Sequence, residues 1–333
     1  MAIAALRQVL TAPSTRWSDP RMLFWYGLSL LFAAYYGYLV LHSAFGTPWV
    51  VQDDARQHVF WMQRWLDPGL FPNDFMADYF QSQAPIGYTA LYRGAAAIGI
   101  PPLTFNKLLP PILGLLSTHY CFRLSLQLLP IPAVAFTSSL LLNQTCWMRD
   151  DLVSGTPRAF VYVLLLAFLV YVNGRAVIPC IVVLALQPLF YPHCALISGG
   201  VLVLKLCKFS GGRLSVVQDP KIYRLSGLGL GLLFCLLAPY ALANSEFGPL
   251  ITPAVARTMP EFGPGGRAAY FTHNPLLLWF GDRSGFFPTP ILTPPTLAFS
   301  LWFPWLWRQP QRFPWLQTIR GNGAILQHLV IAS

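Results

Sequence analysis

The residues LFWYGLSLLFAAYYGYLVLHSA (23–44) run without a single acid or base other than His42. They are followed at once by Gln52-Asp53-Asp54-Ala55-Arg56-Gln57-His58. About 20 apolar residues in helical form cross a bilayer, and two adjacent carboxylates beside such a run are costly neighbours for lipid. The apolar run decides the fold class and the acids locate the chemistry.

The rest of the composition agrees. Hydrophobic residues make up 55% of the 333 and charged ones only 10%, with mean hydropathy +0.51. Soluble domains carry about 25% charged residues, and so few charges cannot cover a soluble surface of this length. The formal net charge of +10 raises the question of nucleic acid. The basic residues are spread between apolar blocks, which suits topology signals and not a nucleic-acid patch. The six cysteines form no CxxC and lie mostly in apolar runs, as small buried hydrophobes do. The expected fold is all-α: a polytopic transmembrane helical bundle with interfacial helices in the first outer loop.

Eight spans are expected: 23–44, 106–121 with Pro110-Pro111 inside it, 131–147, 159–172, the pair 177–189 and 193–206 broken at Tyr191-Pro192, 225–242, and 292–307. Several are shorter than a straight crossing needs, and the broken pair has a second reading as one re-entrant element. Residues 1–22 form a basic cytoplasmic segment, 23–312 the multi-pass domain, and 313–333 the start of a further, truncated segment. With the N-terminus in the cytoplasm, thirteen of the 22 Lys and Arg fall inside. Of the twelve acids only Asp19 and Asp219 do so. Acids do little to orient a chain, so their concentration on the outer face points to chemistry there. Three outer loops carry it: 45–105, 148–157 and 244–291.

From Asp54 onward the pattern predicts a helix, with Val59, Met62 and Leu66 on one face and Trp61 and Trp65 beside them at headgroup level. Asp54, Gln57 and His58 share a polar face. Asp53 stands where an N-cap belongs, so capping is a second explanation for it. Asn73-Asp74 opens the next helix. In the second loop, Arg149-Asp150-Asp151 and Arg158 bracket Ser154-Gly155-Thr156-Pro157. Either the arginines simply neutralise the acids, or the acids join those of the first loop and Arg158 grips a phosphate with its fork. His193, at the break, suits phosphate binding, metal binding or proton transfer. Arg257, Arg267 and Arg283 lie in the Gly- and Pro-rich third loop. There is no P-loop, no GxGxxG opening a βα unit and no HExxH.

An outer acidic pair directly after the first span, here Asp53-Asp54 in QDDARQH, resembles the GT-C superfamily of integral-membrane glycosyltransferases. So does a second acidic site in the next outer loop, here Asp150-Asp151. The resemblance spans residues 23 to about 307 and rests more on position than on the short motif. It implies sugar transfer from a polyprenyl-phosphate carrier to a glycan, lipid or protein acceptor on the non-cytoplasmic face of a membrane, expected to be a bacterial inner membrane. It implies Asp54 or Asp53 as general base, with Asp150 or Asp151 orienting the acceptor or, with Asp54, holding Mg²⁺ or Mn²⁺. His58, Arg158, His193 and Arg267 are then the candidates for binding substrate or phosphate. Members of that superfamily usually have more spans, and often an outer soluble domain. The alternatives are a membrane transporter built on the broken helix, or a non-catalytic remnant of a transferase.

Overall fold

The computed structural model describes residues 10–148, 150–210, 213–242, 247, 251–263, 265–266, 271, 274, 325 and 328; among these, the side chains of residues 150, 208–210, 213–214 and 241 are not described. The described residues are overwhelmingly helical. The chain divides into two compact units, Met1–Ala241 with Gln317–Ser333, and Leu242–Leu316.

In the first unit, α1 (Pro20–Ala44) begins at Asp19, whose carboxylate accepts the Arg21 N–H at 2.9 Å, with Pro20 at the first helical position. That pairing suits a helix start, where Pro loses no hydrogen bond. The Arg21 guanidinium on the same carboxylate holds it well below the usual range. After α1 come α2 (Ala55–His58), a 3₁₀ turn over Phe60–Trp65, α3 (Phe75–Gln83) and α4 (Ile86–Ala97). Three longer helices carry the chain onward: α5 (Pro102–Leu128), α6 (Pro132–Met148) and, after the one-turn α7 (Asp150–Val153), α8 (Val161–Asn173). The next are α9 (Val177–Phe190), α10 (Pro192–Leu206) and α11 (Pro220–Leu242). Prolines start α1, α5, α6, α10 and α11; the apolar pattern placed the starts of α6 and α10 within one residue and put those of α1, α5 and α11 too late.

Close packing joins these helices where a glycine leaves room. A Cβ on Gly37 of α1 would come 3.0 Å from Pro111 of α5, and one on Gly87 of α4 would come 2.8 Å from Leu189 of α9. Between α5 and α6, Asn143 donates to Thr118 Oγ1 at 2.8 Å and accepts from Trp147 Nε1 at 3.1 Å. The main core gathers Tyr88, Tyr92, Leu164, Phe168, Leu184, Val201 and Leu202.

Among the described residues two helices are long and apolar enough to cross a membrane, Pro20–Ala44 and Pro220–Tyr240. Only 17% and 28% of their apolar windows are buried within the chain, so most of that apolar surface faces outward. Shorter apolar helices cover Pro157–Asn173, Val177–Phe190 and Pro192–Leu206. The expected span 292–307 lies outside the described residues.

The structure corrects the sequence reading in two places. Two short strands pair antiparallel, β1 (Cys207–Ser210) against β2 (Arg213–Val216), with Lys208 opposite Ser215. The Gly211-Gly212 pair between them is a hairpin signal. The amphipathic helix expected from Asp54 closes after one turn and tightens into 3₁₀ geometry, with Val59, Trp61 and Met62 fully buried and Leu66 exposed. Trp61 is thus a core residue and not a headgroup anchor. A tighter turn brings side chains three apart into line, which puts Val59 and Met62 on the core side together.

In the second unit, Thr252 caps the short α12 (Pro253–Ala256), and the Arg257 guanidinium lies 5.3 Å from the centre of the Phe271 ring. The Phe271 N–H donates to the Phe262 carbonyl at 3.0 Å.

Candidate functional site

The first acidic loop is closed by an amide. Gln52 Oε1 accepts the Ala55 N–H at 3.1 Å, while Asp54 occupies the cap position without a side-chain cap bond. Capping therefore does not explain Asp53, which is exposed. Asp54 is half-buried, one turn before His58, and its charge acts on that imidazole. Burial holds His58 below its usual range; Asp54 pulls it up, and Arg158 of the second loop pushes it down again. The His58 ring meets the edge of Phe80, with centres 5.1 Å apart. His58 thus feels charge from both acidic loops.

In the second loop, Arg158 Nη1 donates to Asp151 Oδ1 at 3.1 Å, and Tyr162 reaches Asp151 Oδ2 at 3.4 Å. The Arg158 side chain is about half exposed, at 53%, so the pair is a weak brace. Arg158 also interacts with Tyr191 at the break between α9 and α10. The Tyr191 ring in turn lies 5.1 Å from that of His193, which is exposed. Arg158 thus links Asp151 of the second loop to Tyr191 at the helix break, beside His193. The Asp150 side chain and Arg267 lie outside the described residues.

What holds the second loop was not foreseen from the sequence. Asn106, buried near the start of α5, donates to the Ser154 carbonyl at 2.7 Å and to the Tyr92 hydroxyl at 3.0 Å. Tyr92, buried on α4, donates to the Gly155 carbonyl at 2.7 Å. Burial pushes the Tyr92 phenol far up, so it remains a donor at any working pH. Gly155 has φ +59, and a Cβ there would lie 2.6 Å from Asn106 Nδ2. Ser154 and Thr156 hydroxyls bond each other at 2.8 Å. The available signals were an Asn inside an apolar block and a Gly between Ser and Thr at a tight corner.

The expected capping by Asp74 is present: its carboxylate accepts the Ala77 N–H at 2.9 Å. Asp78 pairs with Arg64 at 2.6 Å, which also donates to Gln81 at 3.0 Å. These acids are structural, and Arg64 ties the 3₁₀ turn to α3.

A cavity of about 230 Å³ lies between the end of α1, the first loop and α5. Its wall is mostly apolar, with Val40, Val50, Leu103 and Pro110, and it includes Gln52 and Val153. One wall residue thus adjoins each acidic loop. At its edge the Lys107 ammonium donates to the Ala44 carbonyl at 2.7 Å and lies 5.1 Å from the Phe45 ring centre.

Among the described residues no three His, Cys, Asp or Glu side chains come together as a metal ligand set. The expected metal pair was Asp54 with Asp150, whose side chain lies outside the described residues; Asp151 faces the Arg158 cation. No protein-family model, curated protein or solved structure matches the chain.

Proposed function

We propose that the chain is a multi-pass membrane glycosyltransferase of the GT-C kind, taking a sugar from a polyprenyl-phosphate carrier at the non-cytoplasmic face. The observation that supports this reading is the pairing of Arg158 with Asp151 at 3.1 Å on the second acidic loop, with Asp54 one turn before the half-buried His58 on the first. A carboxylate and a phosphate-gripping cation at one place are what transfer of a phosphate-linked sugar needs. The cavity beside them has a wall apolar enough for the first part of a prenyl tail.

In the proposed reaction the acceptor hydroxyl gives its proton to the Asp54 carboxylate as its oxygen attacks the anomeric carbon. The bond from that carbon to the carrier phosphate oxygen breaks, and the phosphate leaves with the electron pair. Arg158 and the His58 ring face the developing negative charge. The phosphate takes the Arg158 fork in place of Asp151, which is left free to bind an acceptor hydroxyl. No step runs through a metal; dependence on Mg²⁺ or Mn²⁺ is measured by activity before and after EDTA.

The test is sugar transfer from polyprenyl-phosphate sugars in membranes holding the wild type, Asp54→Asn or Arg158→Gln. Each substitution is expected to lower turnover by about 10²-fold or more. Wild-type turnover in both variants rejects the assignment. The break at Tyr191-Pro192 favours a second reading, a transporter with its site at the interrupted helix. Solute flux into sealed vesicles without transfer would select it.

A further inference from the structure

Far from the acidic loops, α5 carries a cation that no acid answers. Arg123 lies roughly 25 Å along the helix from Asn106, which holds the second loop. It is half-buried, and the ion pairs among the described residues leave it out. The end of the helix does not account for it. Arg123 stands before the last turn, which holds no basic residue, and the pull of the helix dipole fades within that turn. The contact it does make is with a ring: its guanidinium carbon lies 5.8 Å from the centre of Tyr171. At that distance a cation–π contact is weak.

Side-chain bonds on either side of Arg123 define a groove. On one side the Tyr26 hydroxyl and His119 Nδ1 lie 2.8 Å apart and join α1 to α5. On the other the Tyr120 and Tyr171 hydroxyls lie 3.1 Å apart and join α5 to α8. At about 100° per residue, Ile112, Leu116 and Arg123 all fall between His119 and Tyr120 around the helix. The helix α5 is therefore the floor, with α1 and α8 as walls. That floor is open, since Leu116 is 41% and Ile112 51% exposed. The exposed Trp17 ring stands edge-on to Tyr26 at 5.2 Å and lies 6.4 Å from Phe122. A tryptophan so placed marks the headgroup level of a bilayer, which sets Arg123, next to Phe122, at that level. Ile112 is then roughly 16 Å deeper, at the centre of a hydrocarbon layer about 30 Å thick.

We propose that this groove binds one anionic phospholipid. An acyl chain lies along Leu116 and Ile112, and the headgroup phosphate takes the Arg123 fork. The two phenols share one hydrogen bond, so one of their O–H groups is left to donate to the same phosphate. A lipid with net negative charge is favoured because no carboxylate neutralises Arg123. The apolar floor has the depth of a single leaflet, which commits the site to a lipid and not to free phosphate. The proposal rests on the membrane part of the reading above and not on sugar transfer.

The experiment uses the full purified chain in nanodiscs of phosphatidylcholine with a minor share of phosphatidylglycerol. Native mass spectrometry reads the lipids that stay bound. Wild type is expected to retain phosphatidylglycerol about fivefold over its share, the effect of one basic residue near an anionic surface. Arg123→Lys should keep most of that enrichment and Arg123→Gln none. Leu116→Trp, which fills the floor and leaves the cation, should lower it as well. Arg123→Met keeps the packing of the stem, so its loss of enrichment at an unchanged thermal midpoint reflects charge and not folding. Enrichment that persists in Arg123→Gln and Arg123→Met overturns the proposal, as does none in the wild type. A dimer without bound lipid assigns the groove to a second copy and overturns it too. A chain that does not enter nanodiscs overturns this proposal together with the membrane reading. Enrichment without sugar transfer rejects the transferase alone, and transfer without enrichment rejects the lipid site alone.

Discussion

The two acidic loops present similar sequences and are held by opposite means. The first rests on apolar burial: Ala55, Val59, Trp61 and Met62 lie beneath Asp53-Asp54 with almost no exposure. The second rests on buried hydrogen bonds, from Asn106 and Tyr92 to the carbonyls of Ser154 and Gly155. Packing is non-directional and tolerates exchange for residues of similar volume. A buried polar clamp fixes direction and fails sharply when one partner is removed. The acid taken as the base thus stands on a floor that can breathe, and its counterpart on one that cannot.

The contrast can be broken most easily at Trp61. Trp61→Ala empties the floor of the first loop and is expected to cost about 3–5 kcal/mol of stability. Denaturant unfolding in detergent measures it, and Trp61→Phe should recover most of the loss. A Trp61→Phe variant as unstable as Trp61→Ala would show that the first loop, too, depends on a specific geometry. Asn106→Leu comes next, at about 1–3 kcal/mol, because it strands the Ser154 carbonyl in the interior. Here no apolar residue of similar size should rescue; one that did would remove the distinction between the loops.

The smallest expected effect is the pH response of His58. His58 is held below its usual value, chiefly by burial. The folded state therefore prefers the neutral ring, and its contribution is complete above the ordinary imidazole value. It is lost as pH falls from that value through the lower folded one. Thermal unfolding between pH 7 and pH 5 should steepen this loss in the wild type relative to His58→Gln. Identical pH profiles would mean that burial in the folded state does not disfavour the charged His58 ring.

Much of the fold was legible because prolines mark it. Pro132 and Pro192 set helix starts within a residue of where the apolar pattern put them, and Pro20 opens α1. The two strands after Leu206 were missed because the stretch between the spans 193–206 and 225–242 was read as a basic connection with Lys208 and Arg213, and only Gly211-Gly212 hints at a turn. The early end of the helix after His58 was illegible for another reason. Its period fits either helix type, and burial of Trp61 by distant helices decides between them. At the site, the acids, His58, Arg158 and the Tyr191 break were visible from charge beside apolar runs. The clamp was not, since Tyr92, Asn106 and Gly155 are far apart in sequence and only tertiary packing joins them. Gln52 taking the capping role from Asp53 is a choice between neighbours that side-chain geometry alone settles.

The cavity wall has one more consequence, which concerns time. All of its residues, from Val40 to Val153, are contributed before α8 is made. At synthesis rates of roughly 5–20 residues per second, both loops and the hollow between them leave the ribosome within tens of seconds. The polar clamp closes only when Gly155 follows Asn106 and Tyr92 out.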